Sequence, residues 1–324
     1  MSAASAFRDR TGLSLPPGVA RHVGLLSVLL LIGLFTSLNS EVFLTTPNLV
    51  NVSQQVAVVA VLAAGLTLLM TAGGIDFSLG AIAAVSHAVV AKLIQGGMDE
   101  WAAVLVALAL GTAIGLVNGG VVTVFSVAPF VATLASSTIL TGVALLLLDG
   151  MSVSIGDHLA VLGFGELFGA IPSLVVLAVL VCLAVGVLMR WSAFGRNAFA
   201  IGGNESAARL SGIPVVRSKL LLYALGGFLA ALGGVMLVAR LGAASPGTGG
   251  LPLELTVVAA VVIGGTSLHG GSGTLVGTVL GVLLLGLVAN SLNLLQIDPV
   301  YQDIAVGTVL MIAAIVNHQR GRRT

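Results

Sequence analysis

Side chains able to do acid–base, nucleophilic or metal chemistry are scarce in this 324-residue chain: one cysteine, five histidines and 12 acidic residues. Lys92 and Lys219 are the only lysines, and neither follows the glycine of a G-K-[ST] phosphate-binding loop, so the chain is not expected to hydrolyse ATP by that route. Cys182 lies in the apolar run 177–188 and reads as packing. No Cys/His cluster has metal-site spacing, and no metal is expected. No strand–turn–helix context offers a nucleophile elbow or a dinucleotide fingerprint. One titratable pair has suggestive spacing: His87 follows Asp76 by eleven residues, which on a continuous helix places both within about 20° of one face. Inside a membrane such a pair would suit a proton relay, the plainer reading being a hydrogen-bonded packing histidine. Five amides, Gln54, Gln55, Asn118, Asn290 and Asn293, are candidate pathway-lining groups; the alternative is that they bond helix to helix.

The elements that must position these groups are membrane spans. Hydrophobic residues make up 57% of the chain, charged residues 8%, and the mean hydropathy is +1.15. So few charges cannot cover a water-soluble surface, and a net charge of +1 argues against a nucleic-acid-binding surface. The 43 glycines lie inside Leu/Val/Ala runs, which excludes disorder. A crossing takes about 20 apolar residues. Charged and turn residues divide the sequence into ten expected spans: His22–Leu38, Val50–Thr71, Gly74–Gln95, Trp101–Phe125, Ala128–Leu148, Pro172–Met189, Ser218–Arg240, Leu253–Leu268, Thr274–Leu295 and Val300–Val316. The fold class expected is an all-α integral membrane protein with about ten transmembrane helices, some short or broken. One transmembrane domain, 22–317, lies between tails at 1–21 and 318–324.

Ten spans put both termini on one side, and eleven of the 13 basic residues fall on that side, in the tails and the 190–219 loop. By the positive-inside rule that side is cytoplasmic. Gly111, Gly115 and Gly119 run down one helix face, and Gly226, Ala230 and Gly234 repeat the spacing, as close helix packing in lipid requires.

Three polar regions interrupt the apolar pattern. Gly73 and Gly74 supply a tight turn, with Asp76 and Ser78 at the start of the next helix, where a carboxylate meets exposed N–H groups. Residues 264–273 hold five glycines, among them Gly264, Gly265, Gly270 and Gly271, and allow a re-entrant or broken-helix backbone. Within the 195–218 loop, Asn204 caps a short helix, Gly212 stops it and Pro214 prevents its resumption. A small-faced helix presented to the cytoplasm has the form of a plug for a partner's groove.

The stretch Gly202-Gly-Asn-Glu-Ser-Ala-Ala-Arg-Leu-Ser-Gly-Ile213 closely resembles the cytoplasmic coupling segment of the ribose-type (simple-sugar) permeases of bacterial ABC importers. The resemblance extends to Gly73-Gly-Ile-Asp-Phe-Ser-Leu-Gly80, Ala128-Pro-Phe-Val-Ala-Thr-Leu134, Ala259-Ala-Val-Val-Ile-Gly-Gly-Thr-Ser-Leu268, Gly270-Gly-Ser-Gly and Gly286-Leu-Val-Ala-Asn-Ser-Leu-Asn-Leu-Leu295. It covers nearly all of the chain from the second span onward, and its specificity lies in the combination of motifs. The segment departs from the broader permease consensus in reading Glu-Ser-Ala-Ala where Glu-Ala-Ala is usual.

The resemblance implies a non-enzymatic transport subunit of the bacterial inner membrane, acting as a pair with a second permease copy. Its partners would be a cytoplasmic ABC ATPase, which binds ATP and Mg in this chain's stead, and an extracytoplasmic solute-binding protein. Gly202, Gly203, Asn204, Glu205, Ala207, Ala208, Arg209 and Gly212 would form the ATPase-coupling segment, with Glu205, Ala207, Ala208 and Gly212 against the ATPase. The turns at 73–78 and 264–271 would belong to the gating machinery. The runner-up expectation is a proton-coupled secondary transporter using Asp76 and His87.

Overall fold

Apolar runs bounded by Gly, Pro and capping residues become helices throughout the computed structural model, which describes residues 17–167, 169–298, 300, 301, 304, 306–308 and 311. In chain order these are α1 (Pro17–Asn39), α2 (Thr46–Thr71), α3 (Leu79–Gln95), α4 (Glu100–Thr123), α5 (Pro129–Leu148), a single turn α6 (Ala160–Gly163), α7 (Ser173–Trp191), α8 (Ala193–Gly203), α9 (Glu205–Leu210), α10 (Val215–Leu241), α11 (Gly250–Ile263) and α12 (Leu275–Leu294). Among the described residues, seven helices are long and apolar enough to cross a membrane, while α3 and α11 are shorter apolar helices. The expected span Val300–Val316 and both expected tails fall mostly or wholly outside the described residues. Four two-residue strands, β1 (Val153–Ser154), β2 (Glu166–Leu167), β3 (Ile171–Pro172) and β4 (Ala243–Ala244), pair as β1 with β4 and β2 with β3.

Two boundaries differ from expectation for a physical reason. The third span does not begin at Gly74: Gly73, at φ +74°, ends α2 in a left-handed turn, and 72–78 stay non-helical until α3 begins at Leu79. The eighth span starts at Gly250 and stops at Ile263, because Gly265 takes φ +96°. Because Asp76 precedes α3, it shares no helical face with His87. His87 stands eight residues beyond Leu79, about 12 Å along the axis at 1.5 Å per residue. A shared face would require the helix to include Asp76, whereas α3 begins only at Leu79.

Helices α2 and α10 form the centre. Helix α10 packs on α2, α3 and α4; α7 and α12 flank α2, and α1 lies outermost on α12. Glycine permits this proximity. A Cβ at Gly111 would meet the Ala231 side chain and the Gly227 carbonyl, and one at Gly115 would meet the Tyr223 carbonyl. The Gly226–Ala230–Gly234 face of α10 is turned elsewhere: Gly226 lies by Leu79, and a Cβ at Gly234 would meet the Ala83 carbonyl of α3. Apolar side chains such as Leu30, Phe125, Leu146 and Trp191 point outward, each more than 70% exposed, as a lipid-facing surface requires.

The chain uses one pattern twice. Long α2, the 72–78 break and short α3 are matched by long α10, the 242–249 break and short α11. The breaks lie at opposite ends: the first meets 202 and 270, while the second pairs with β1. A buried acid accompanies each break: Asp76 lies within the first, and Glu254 follows the second in the first turns of α11. Inverted repeats with broken helices are a common architecture among transporters.

Candidate functional site

Three glycine pairs far apart in sequence meet at one end of the molecule. Beyond α2, the Gly73 and Gly74 amides bond back to Met70 and Leu69 at 2.9 and 3.2 Å, closing the helix. At the end of α8, Gly202 lies so close to this turn that a Cβ would meet the Thr71 carbonyl oxygen and the Gly271 amide. The Gly271 N–H donates to that same Thr71 carbonyl at 3.0 Å. Gly270, at φ +88°, completes the contact, since a Cβ there would meet the Gly73 nitrogen at 2.7 Å and the Gly202 Cα at 2.8 Å. Backbone thus packs on backbone between the α2–α3 turn, the end of α8 and the α11–α12 loop. Only residues without a side chain allow it.

Helix α9 hangs directly from this junction. Asn204 caps it, its Oδ1 accepting the Ala207 amide at 2.9 Å, and Gly212 at φ +80° ends it. The Glu205 carboxylate accepts from Lys219 Nζ of α10 at 2.6 Å and from Arg209 at 3.2 Å. The hydrogen bond from Lys219 is the main influence holding the Glu205 carboxyl below its usual range. Glu205 is therefore a latch from α9 to α10. Ala208 was expected on the partner-facing surface, yet it is buried within this chain, its short side chain filling the space between α9 and the bundle. Ala207 is exposed, and Leu210, which the sequence reading passed over, is 90% exposed.

The 72–78 turn is fastened on its other sides. Asp76 Oδ1 accepts from the Ser78 amide at 2.8 Å and from its hydroxyl at 2.5 Å, Asn118 Nδ2 of α4 donates to Ser78 Oγ at 2.8 Å, and Tyr223 of α10 donates to the Ile75 carbonyl at 3.1 Å. Asp76 is fully buried rather than placed at an exposed helix end, and its Oδ2 has no hydrogen-bond partner among the described residues. Glu254, near the start of the expected span 253–268, is equally buried: it accepts from Ser137 at 3.0 Å and abuts α3, where a Cβ at Gly80 would lie 3.0 Å from its own. Gly264 packs on Gly277 of α12, and Arg21 of α1 donates to the Gly265 carbonyl at 2.8 Å.

The five amides do not converge. Asn118 serves the 72–78 turn, and Asn290 exchanges two hydrogen bonds with Asn48 at 2.8 and 3.2 Å. Gln54 donates to the Gly163 carbonyl at 3.2 Å, Gln55 borders a small cavity between α2, α11 and α12, and Asn293 is exposed. Three of them thus bond one element to another.

A family model described as "Branched-chain amino acid transport system / permease component" matches residues 48–314, which hold both breaks, α9 and the glycine junction. The chain belongs to this permease family. The permease is 40% identical over 305 residues to the ribose import permease protein RbsC of Bacillus subtilis (strain 168), covering 94% of each chain. It is 40% identical over 301 residues to RbsC of Escherichia coli (strain K12), covering 91% of the permease and 93% of the relative. The D-allose transport system permease protein AlsC of the same strain is 36% identical over 287 residues, covering 88% and 87%. No solved structure matches the permease. What sequence reasoning missed is α8, whose Arg196 and Asn197 made it read as loop, and the depth at which Asp76 and Glu254 lie.

Proposed function

We propose that the permease is the membrane subunit of an ATP-driven importer of a simple sugar, with α9 and both termini in the cytoplasm of a bacterial cell. The observation that carries this reading is the glycine junction, where the segment leading into α9 packs backbone to backbone on the two loops that begin α3 and end α11. A separate ABC ATPase holding ATP and Mg seats on the exposed face of α9. A solute-binding protein docks on the opposite end, around the 149–171 and 242–249 segments, and a second permease copy completes the pathway. Relatives named for ribose, D-allose and L-arabinose support the substrate class.

The coupling follows from the contacts. Closure of the ATPase pushes α9. The push reaches α10 through Glu205–Lys219, and reaches the 72–78 turn and the 264–273 loop through Gly202, Gly270 and Gly271. Both short helices shift in response, exposing the pathway to alternate sides.

Copurification with the ATPase tests this assignment. Full complex is expected from the parent, and Glu205→Lys, which gathers three cations where a latch stood, is expected to lose it. Because the Glu205 carboxyl is held low, the latch is complete at neutral pH and persists below the usual carboxylate range; it opens only as pH falls through the lowered value. Complex retained by Glu205→Lys would contradict the role given to α9.

A further inference from the structure

A second region, remote from the glycine junction, has the makings of a ligand site. A cavity of about 300 Å³ opens between α3, the second half of α5 and the 245–252 segment, at the end of the molecule away from α9. Its volume is at the lower end of the ~300–1,000 Å³ usual for small-molecule sites. Among the described residues no charged side chain lines it, which disfavours an ionic ligand. Leu145, Leu148 and Ala144 form an apolar wall, and Thr141 and Thr248 bring hydroxyls.

The decisive group is His87. It is 1% exposed and lines the cavity. Its Nδ1 lies 2.5 Å from the Ala84 carbonyl oxygen. A carbonyl only accepts, so in the neutral ring Nδ1 carries the proton and Nε2 is a bare acceptor. That Nε2 is buried with no hydrogen-bond partner among the described residues. A buried acceptor without a partner calls for a donor, and a ligand hydroxyl is one.

The 245–252 segment is shaped for close approach of a ligand to backbone. Gly247, Gly249 and Gly250 take φ +82°, +85° and +63°, while the Thr248 amide closes a turn on the Ser245 carbonyl at 3.2 Å. Glycines here keep the rim free of side chains.

We propose that this cavity receives the transported solute on the side opposite α9, and that its ligand is a neutral polyhydroxylated molecule of aldose size. His87 Nε2 accepts a hydroxyl, Thr141 and Thr248 orient its neighbours, and the leucine wall packs against the C–H face. This inference rests on the importer reading and adds to it a site and the chemistry that selects there.

The test uses the complete reconstituted transporter in proteoliposomes with D-ribose, D-allose and L-arabinose as probes, reading sugar molecules taken up per ATP hydrolysed. His87→Phe and Thr141→Val are expected to lower that ratio about tenfold, the size of one lost hydrogen bond to a buried acceptor, while assembly and binding-protein-stimulated ATP hydrolysis persist. His87→Gln, which keeps an acceptor, is expected to recover part of the loss, separating a fold defect from a ligand contact. An unchanged ratio in both loss variants, while the parent transports, overturns the cavity assignment alone. Loss of assembly or of ATP hydrolysis in step with uptake overturns it as well, since the cavity would then serve the fold. A parent that takes up none of the three sugars overturns the importer reading and the cavity with it.

Discussion

Gly202→Ala is expected to abolish most ATP-driven sugar uptake, while Gly203→Ala, one residue on, leaves it near the parent level. The two positions differ in what a methyl group would meet. At Gly202 a Cβ runs into the Thr71 carbonyl and the Gly271 amide, both backbone atoms that cannot swing aside. At Gly203 nothing lies within 4 Å. Accommodating the methyl means separating α8 from the α2–α3 turn and stretching the 3.0 Å Gly271–Thr71 hydrogen bond, which ties that turn to the α11–α12 loop. Overpacking of this kind costs about 1–3 kcal/mol, equivalent to roughly ten- to hundredfold in a rate that depends on the contact. Uptake by proteoliposomes measures it, with melting temperature as the control for fold. Equal uptake by the two variants would mean that the junction carries no motion from α9.

Gly115→Ala is expected to have the largest effect on stability. Helices α4 and α10 cross at Gly111 and Gly115, and a Cβ at Gly115 would enter the Tyr223 carbonyl. In lipid the apolar side chains gain nothing by leaving one apolar neighbour for another, so the seam depends on close van der Waals contact. Forcing it apart costs about 1–3 kcal/mol and also displaces Tyr223, whose hydroxyl holds the Ile75 carbonyl of the 72–78 turn at 3.1 Å. Gly120→Ala on the same helix supplies the contrast, because nothing lies within 4 Å of its added methyl. Detergent-solubilised protein is expected to melt several degrees lower for Gly115→Ala and to be unchanged for Gly120→Ala. Equal losses would show that general helix disturbance, not the α4–α10 seam, is being measured.

Local chemistry was legible in the sequence, and non-local contact was not. Asn204, Gly212 and Pro214 bound α9 because capping, a left-handed stop and a missing N–H act within a few residues. The glycine turn after Thr71 was legible on the same grounds. That Gly73, Gly202 and Gly270 touch one another is a property of the assembled bundle, and no spacing announces it. Asp76 and His87 were joined by a helical period that does not reach Asp76, because α3 begins only at Leu79. The site moved accordingly: His87 belongs to the cavity by α5 and the 245–252 segment, and Asp76 to the fastening of the 72–78 turn. Glu254 stood at the edge of the expected span 253–268, yet α11 starts at Gly250 and carries the carboxylate inward to Ser137.

The central claim is that motion is supplied from outside the permease, through α9. Uptake of D-ribose, D-allose and L-arabinose into vesicles containing the permease tests it most directly, with and without the ATPase and the binding protein. Accumulation is expected only with both partners and ATP present, and it should be indifferent to an imposed pH gradient. Accumulation driven by a pH gradient in vesicles lacking the ATPase would contradict the account.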